Sequence, residues 1–174
     1  SADVSGLENV NSRSLDMIID QIVEDQLMKE PRDQQLSLVE SIEALALFFH
    51  ATSANQALKS KAYVAMTEIG SVITNYNLHV LWKGAFLKMS SDIITHHVNS
   101  SELMINLFEA ILAHEIKTTI PGNSEETLAS ICFNVFSNPQ SNFKLVSAAA
   151  HAALRLDKSL FEPLASQALD HPNH

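Results

Sequence analysis

The segment Glu102–Lys117, with the sequence ELMINLFEAILAHEIK, decides the fold class because it is apolar over most of a helical circumference. At about 100° per residue, its apolar side chains cover roughly two-thirds of the circle. A helix of this kind needs apolar neighbours on at least two sides, so the segment is predicted to be a central helix of an all-helical domain. The apolar residues are Leu103, Met104, Ile105, Leu107, Phe108, Ile111, Leu112 and Ile116, and the narrow polar strip consists of Glu102, Asn106, Glu109, Ala113 and Lys117.

The composition of the 174-residue chain is that of a folded domain rich in long helices. Hydrophobic residues make up 46% and charged residues 18%, and there are only 4 Gly and 5 Pro to form tight turns. The net charge of −9 argues against a general nucleic-acid binder, which must neutralise phosphates. No apolar run reaches the roughly 18 residues of a membrane span, so no membrane insertion is expected. The composition does not identify a compartment, and the cytoplasm is only the default.

Periodic apolar residues and helix-breaking signals predict about eight helices. Pro31, Pro121 and Pro139 separate neighbouring helices, and Ser, Thr and Asn residues cluster where helices begin, as capping requires. Gly70 lies inside the third helix, where it predicts a close helix crossing. The predicted helices cover residues 14–29, 32–50, 56–76, 78–98, 102–117, 125–137, 142–157 and 158–169.

The predicted helices form four consecutive antiparallel hairpins, which begin near Ser14, Ser53, Ser101 and Ser141. This spacing of about 40 residues is within the range of HEAT and armadillo units, although no residue-level repeat accompanies it. A HEAT-like or armadillo-like α-solenoid is therefore the favoured arrangement, and a compact helical bundle with the same order of helices is the alternative. The expected organisation is a flexible lead-in over 1–12, one all-helical domain over 13–169 and a frayed tail over 170–174.

Acidic residues are concentrated at the N-terminal end, where the first 50 residues contain ten Asp or Glu and three Lys or Arg. Asp16, Asp20 and Glu24 recur at a spacing of four residues and therefore lie on one face of the first predicted helix. A solvated face is the ordinary explanation of such a strip. The alternative is a docking strip for a basic partner or a cation, and these three residues are the candidate partner-binding site.

The histidines are the candidate metal or haem ligands, because neutral imidazole commonly binds both. His96, His97 and His114 lie nearest one another along the predicted helices. Helical metal sites usually place two ligands one turn apart, as in Glu-x-x-His or His-x-x-x-His, and neither pattern occurs here. No metal or other cofactor is predicted, and these three histidines are the candidates if one binds.

No motif in the sequence indicates catalysis. A Gly-x-Ser-x-Gly elbow and a Gly-rich phosphate loop are absent from the sequence, and the single Cys132 lies in an apolar helix where it is expected to be inert. Glu109 and His114 were considered as an acid and base, but five residues separate them and place them on different sides of their helix. No catalytic residue is predicted.

The favoured function is therefore a non-enzymatic scaffold or adaptor that binds another protein in a groove between helices, with the acidic first hairpin as the contact. The expected partner segment is a basic or amphipathic helix, and self-association is left open. The alternative is a carrier of a small molecule, metal or haem with its site inside the helical bundle. Its cavity would be lined by Trp82, Phe86, Met89, Met104 and Phe108.

Overall fold

The computed structural model describes residues 12–29, 35–51, 55–114 and 125–153. These residues form seven α-helices and no strand, so the all-α class is confirmed for the described part of the chain. The lead-in before Ser12, the eighth predicted helix and the tail lie outside the described residues. The helices are α1 (Ser12–Met28), α2 (Gln35–Ala51), α3 (Gln56–Gly70), α4 (Tyr76–His96), α5 (Ser101–His114), α6 (Glu125–Ser137) and α7 (Phe143–Ala153).

Contacts divide the chain into two compact units, and the boundary falls between Met89 and Ser90, inside α4. In the first unit, α3 packs against both α1 and α2. In the second unit, α7 packs against both α5 and α6. The single domain over 13–169 and the choice between a solenoid and a compact bundle stay predictions.

The core of the first unit is built on stacked aromatic rings. The Trp82 and Phe86 ring centroids of α4 lie 4.8 Å apart, and Phe86 stacks on Tyr63 of α3 at 5.1 Å. All three side chains are buried. The Trp82 indole Nε1–H also donates a 2.8 Å hydrogen bond to the carbonyl of Met66, so its one polar group is satisfied inside the core. These contacts join α3 to the first part of α4.

Helix α5 is the buried helix that its sequence predicts. Glu102, Glu109 and Ala113 of the predicted polar strip are exposed, whereas Asn106 of the same strip and the apolar Leu112 are half-buried. The helix is described as far as His114, so the predicted last turn through Lys117 lies outside the described residues. Its buried residues are Leu103, Met104, Ile105, Leu107, Phe108, Ala110 and Ile111.

Four of the helices begin with a side-chain cap. The side-chain oxygens of Asn55, Asn75, Ser100 and Asn142 each accept the backbone N–H three residues later, at 3.2, 3.2, 3.4 and 2.8 Å. Each cap satisfies an N–H that has no partner within its helix. Asn55, Ser100 and Asn142 cap α3, α5 and α7, in agreement with the clusters of Ser, Thr and Asn that the sequence places where helices begin. The third predicted helix, over 56–76, is six residues too long: α3 ends at Gly70, and Asn75 instead caps α4, which begins at Tyr76.

Helix α4 continues without a break through Gly84 and through Ser90 and Ser91, although glycines and serine pairs are common positions of helix kinks. None of the helices in the described ranges combines the length and apolar character needed to cross a membrane.

Candidate functional site

The acidic strip of α1 is partly paired with a cation from a neighbouring helix. Lys61 of α3 forms ion pairs with Asp16 and with Asp20, the latter at 2.9 Å between Nζ and Oδ1. The hydrogen bond to Asp16 is the main cause that raises the pKa of Lys61 above its ordinary value. The first two acids of the strip therefore help to hold α1 against α3, in addition to facing solvent.

A groove of about 380 Å³ lies beside this ion-pair cluster, between α1 and α3. We call it the acidic groove, since apolar side chains line it and charged side chains surround them. Leu27, Met28 and Val64 are 50%, 79% and 37% exposed, so three large apolar side chains of one groove are open to solvent. The apolar lining is Ile19, Val23, Leu27, Met28, Val64 and Ala65, and the charged lining is Asp20, Glu24, Lys61 and Glu68.

The charges around the acidic groove are predominantly negative. Three carboxylates, those of Asp20, Glu24 and Glu68, face one ammonium group, that of Lys61, which gives a net charge of −2. Glu24 of α1 and Glu68 of α3 are exposed, and neither forms an ion pair with any residue that the structure describes. These two carboxylates are therefore available to a basic group from outside.

Sequence reasoning identified the α1 side of this groove and missed the α3 side. Lys61, Val64 and Glu68 follow one another at spacings of three and four residues, so they share one face of α3. The sequence pattern that could have indicated this face is the large apolar Val64 between the charged Lys61 and Glu68. It could not show that this face lies opposite the acidic strip, because that depends on how α1 and α3 pack.

The candidate metal ligands do not form a cluster in the described structure. The rings of His96 and His97, which are chain neighbours, have centroids 6.4 Å apart. His97 Nε2 lies 3.5 Å from a carboxylate oxygen of Asp92, and His114 is half-buried at the end of α5. Among the residues that the structure describes, no group of three or more His, Cys, Asp or Glu side chains is placed to hold a metal ion.

The five residues suggested as the lining of a ligand cavity are core residues. Trp82, Phe86, Met89, Met104 and Phe108 each have an exposure of 1% or less. None of them lines the acidic groove. A carrier function therefore gains no support from their placement.

The other candidate reactive side chains, Cys132, Glu109 and His114, do not come together in a reactive site. Cys132 is buried in α6, and burial raises the pKa of its thiol to about 12, which keeps it protonated. Glu109 is exposed, whereas His114 is half-buried on another side of α5. The pair considered as an acid and base stays a weak hypothesis.

Comparison with known proteins gives no indication of function, so a function is inferred from the geometry of the acidic groove. No family model matches the chain, and neither the curated proteins nor the solved structures include a significant match to it.

Proposed function

We propose that this chain is a non-enzymatic protein interaction module, and that its acidic groove binds a basic amphipathic helix of another protein. The observation that carries the proposal is the exposure of Leu27, Met28 and Val64 in a groove with a net charge of −2. An apolar groove with this charge complements a helix that has an apolar stripe and flanking Lys or Arg residues.

The apolar lining supplies the driving force for binding. Covering a Leu, Met or Val side chain completely contributes about 1.5–3 kcal/mol, and these three are still well exposed. Ile19, Val23 and Leu27 follow one another at intervals of four residues and form an apolar row about 12 Å long on α1, in which Ile19 is buried and Leu27 is the most exposed. A partner helix of two to three turns would match that row with its own apolar residues.

The carboxylates supply orientation and selectivity for a basic partner. Asp16 and Asp20 already share the ammonium group of Lys61, so a partner gains less from them than from Glu24 and Glu68. Rim charges of this kind mainly accelerate association and exclude acidic competitors. The proposed contact therefore shifts from the whole Asp16, Asp20 and Glu24 strip to Glu24, Glu68 and the apolar lining between them.

The test is a fluorescence anisotropy titration with a labelled 18-residue peptide that carries Leu at helical spacing and Lys on the flanking positions. We expect the Glu24→Lys/Glu68→Lys variant and the Leu27→Ser/Val64→Ser variant each to bind about tenfold more weakly than the unmodified chain. All four residues are exposed, so the variants should fold. The matched control is Glu43→Lys/Glu109→Lys, which makes the same change in net charge at two exposed positions outside the groove.

Methyl NMR of the same samples locates the bound peptide. Met28 lines the groove, whereas Met17 is also exposed on α1 but is not part of the lining. We expect the peptide to shift the Met28 methyl signal and to leave Met17 unchanged. Equal weakening by the control variant, or unchanged binding by both groove variants, would refute the proposal. A Met28 signal that shifts with protein concentration alone would instead assign the groove to a second copy of the chain.

A further inference from the structure

A second cavity, of about 280 Å³, lies in the second unit. It is formed by the connection between α4 and α5, the start of α5, helix α6 and the turn that leads into α7. Side-chain carboxamides dominate its polar lining, since Asn99, Asn134, Asn138 and Gln140 all contribute. We call this cavity the amide pocket. None of its described lining residues is charged, in a chain where charged residues make up 18%.

The turn before α7 holds part of the amide pocket in place. The side-chain oxygen of Asn138 accepts the backbone N–H of Gln140 at 3.0 Å, and the backbone N–H of Ser141 donates to the carbonyl of Asn138 at 3.0 Å. These bonds order the segment that carries Gln140. The Gln140 side chain itself remains exposed at the edge of the pocket.

Three of the carboxamides have unused hydrogen-bonding capacity. Asn99, Asn134 and Gln140 are exposed, and their side chains form no hydrogen bond with any part of the protein that the structure describes. Each carboxamide offers two N–H donors and a carbonyl acceptor. The pocket thus presents donors and acceptors from three separate segments of the chain around one cavity.

We propose that the amide pocket binds an uncharged, extended peptide segment through the main chain of that segment. Every residue of a peptide presents one N–H donor and one C=O acceptor, and a carboxamide can pair with both. Val98, which is 48% exposed, provides most of the apolar surface for a small side chain of the peptide, beside the buried Val135. Main-chain hydrogen bonds would supply affinity, and the apolar surface would supply selectivity.

The described lining favours a peptide over other ligand classes. Nucleic-acid binding depends on neutralising backbone phosphates with Lys or Arg, and no basic side chain is among the described lining residues. The same residues include no aromatic ring, so the pocket lacks a flat apolar face on which a base or a sugar ring would stack. Residues of the first unit line the acidic groove, and residues of the second unit line the amide pocket.

The test is an NMR titration of the full ¹⁵N-labelled chain with the capped peptide acetyl-Ala-Val-Ala-Ser-amide. We expect saturable shifts of the side-chain NH₂ signals of Asn99, Asn134 and Gln140. Asn77, an exposed carboxamide in the first turn of α4, should stay unchanged and acts as the internal control. A backbone N-methylated form of the peptide cannot donate main-chain hydrogen bonds, so it should bind at least about fivefold more weakly.

Amino-acid substitutions test whether the carboxamide side chains themselves bind the peptide. Asn134→Ala/Gln140→Ala removes two exposed side chains and should weaken peptide binding by at least about fivefold, whereas Asn77→Ala should not change it. Absence of saturable shifts, equal binding of the N-methylated peptide, or unchanged binding by the double variant would each overturn the proposal. Stronger binding of methyl glucoside than of the peptide would also overturn it, because the pocket would then be a sugar site.

Discussion

The indole ring of Trp82 occupies the space that a side chain at Gly70 would need. A Cβ atom on Gly70 would lie 2.1 Å from Cζ2 and 2.4 Å from Cε2 of Trp82. The ring cannot easily move away, since Nε1 donates to the carbonyl of Met66 and the ring stacks on Phe86. The sequence predicts a close helix crossing at Gly70, and the group that approaches Gly70 closely is the indole ring of Trp82 on α4.

Gly70→Ala should therefore destabilise the chain despite the better helix propensity of Ala. Overpacking of this kind costs about 1–3 kcal/mol, and the propensity gain recovers at most about 1 kcal/mol of it. Urea unfolding gives the measurement. The control is Gly84→Ala in α4, where a Cβ would meet nothing within 4 Å, and this variant should be more stable by about 0.5–1 kcal/mol. Equal effects of the two substitutions would contradict the steric explanation.

Trp82→Phe should lower the free energy of unfolding by about 2–4 kcal/mol. The change removes the donor to the Met66 carbonyl and leaves a cavity beside Phe86. In this background Gly70→Ala should cost less than it does in the unmodified chain, since the smaller ring leaves room for the Cβ. A double-mutant cycle measures that coupling, and strictly additive effects would show that Gly70 and Trp82 do not compete for space.

Lys59→Met should destabilise the first unit even though it removes a buried charge. The Lys59 ammonium group is 3.9 Å from the Phe49 ring centroid and donates a 3.1 Å hydrogen bond to the Phe49 carbonyl in the last turn of α2. Loss of this cap should cost about 1–3 kcal/mol in urea unfolding. Lys88→Met, at an exposed position of α4, is the control and should change stability by less than about 0.5 kcal/mol.

Lys61→Met should reveal a modest, salt-dependent contribution from the ion pairs with Asp16 and Asp20. Both carboxylates are well exposed, so about 0.5 kcal/mol is expected at low ionic strength and less in high salt. The pKa of Lys61 is raised in the folded chain. Its contribution is therefore complete below the ordinary pKa of 10.5 and is lost as the pH rises through the raised value. The stability difference between the unmodified chain and Lys61→Met should thus vanish at strongly alkaline pH, and a constant difference would argue for packing alone.

Cys132 should react with a thiol reagent only after unfolding. Its side chain is 1% exposed and its raised pKa of about 12 leaves almost no thiolate at pH 8. Ellman's reagent should modify the chain rapidly in urea and very slowly in buffer. Fast modification of the folded chain would show that α6 opens from α7, where the thiol lies 3.8 Å from the Ala149 carbonyl.

The features that were predicted correctly depend on patterns among residues close together in the sequence. The buried circumference of α5 follows from apolar periodicity, and the caps at Asn55, Ser100 and Asn142 follow from short-range hydrogen bonding. The acidic strip of α1 was also visible, because residues four apart share a helix face. The partner of that strip was not visible, since Lys61 lies 45 residues from Asp16 in the chain.

The sequence by itself determined the helical class, most helix boundaries and the burial of α5, because each depends on residues within a few turns of one another. Tertiary structure alone decided that Lys61 joins the acidic strip, that Leu27 and Val64 line one groove, and that four carboxamides surround one pocket. These relationships depend on which helix faces pack together. Many pairings of apolar faces bury similar area, so only the packed chain selects one of them.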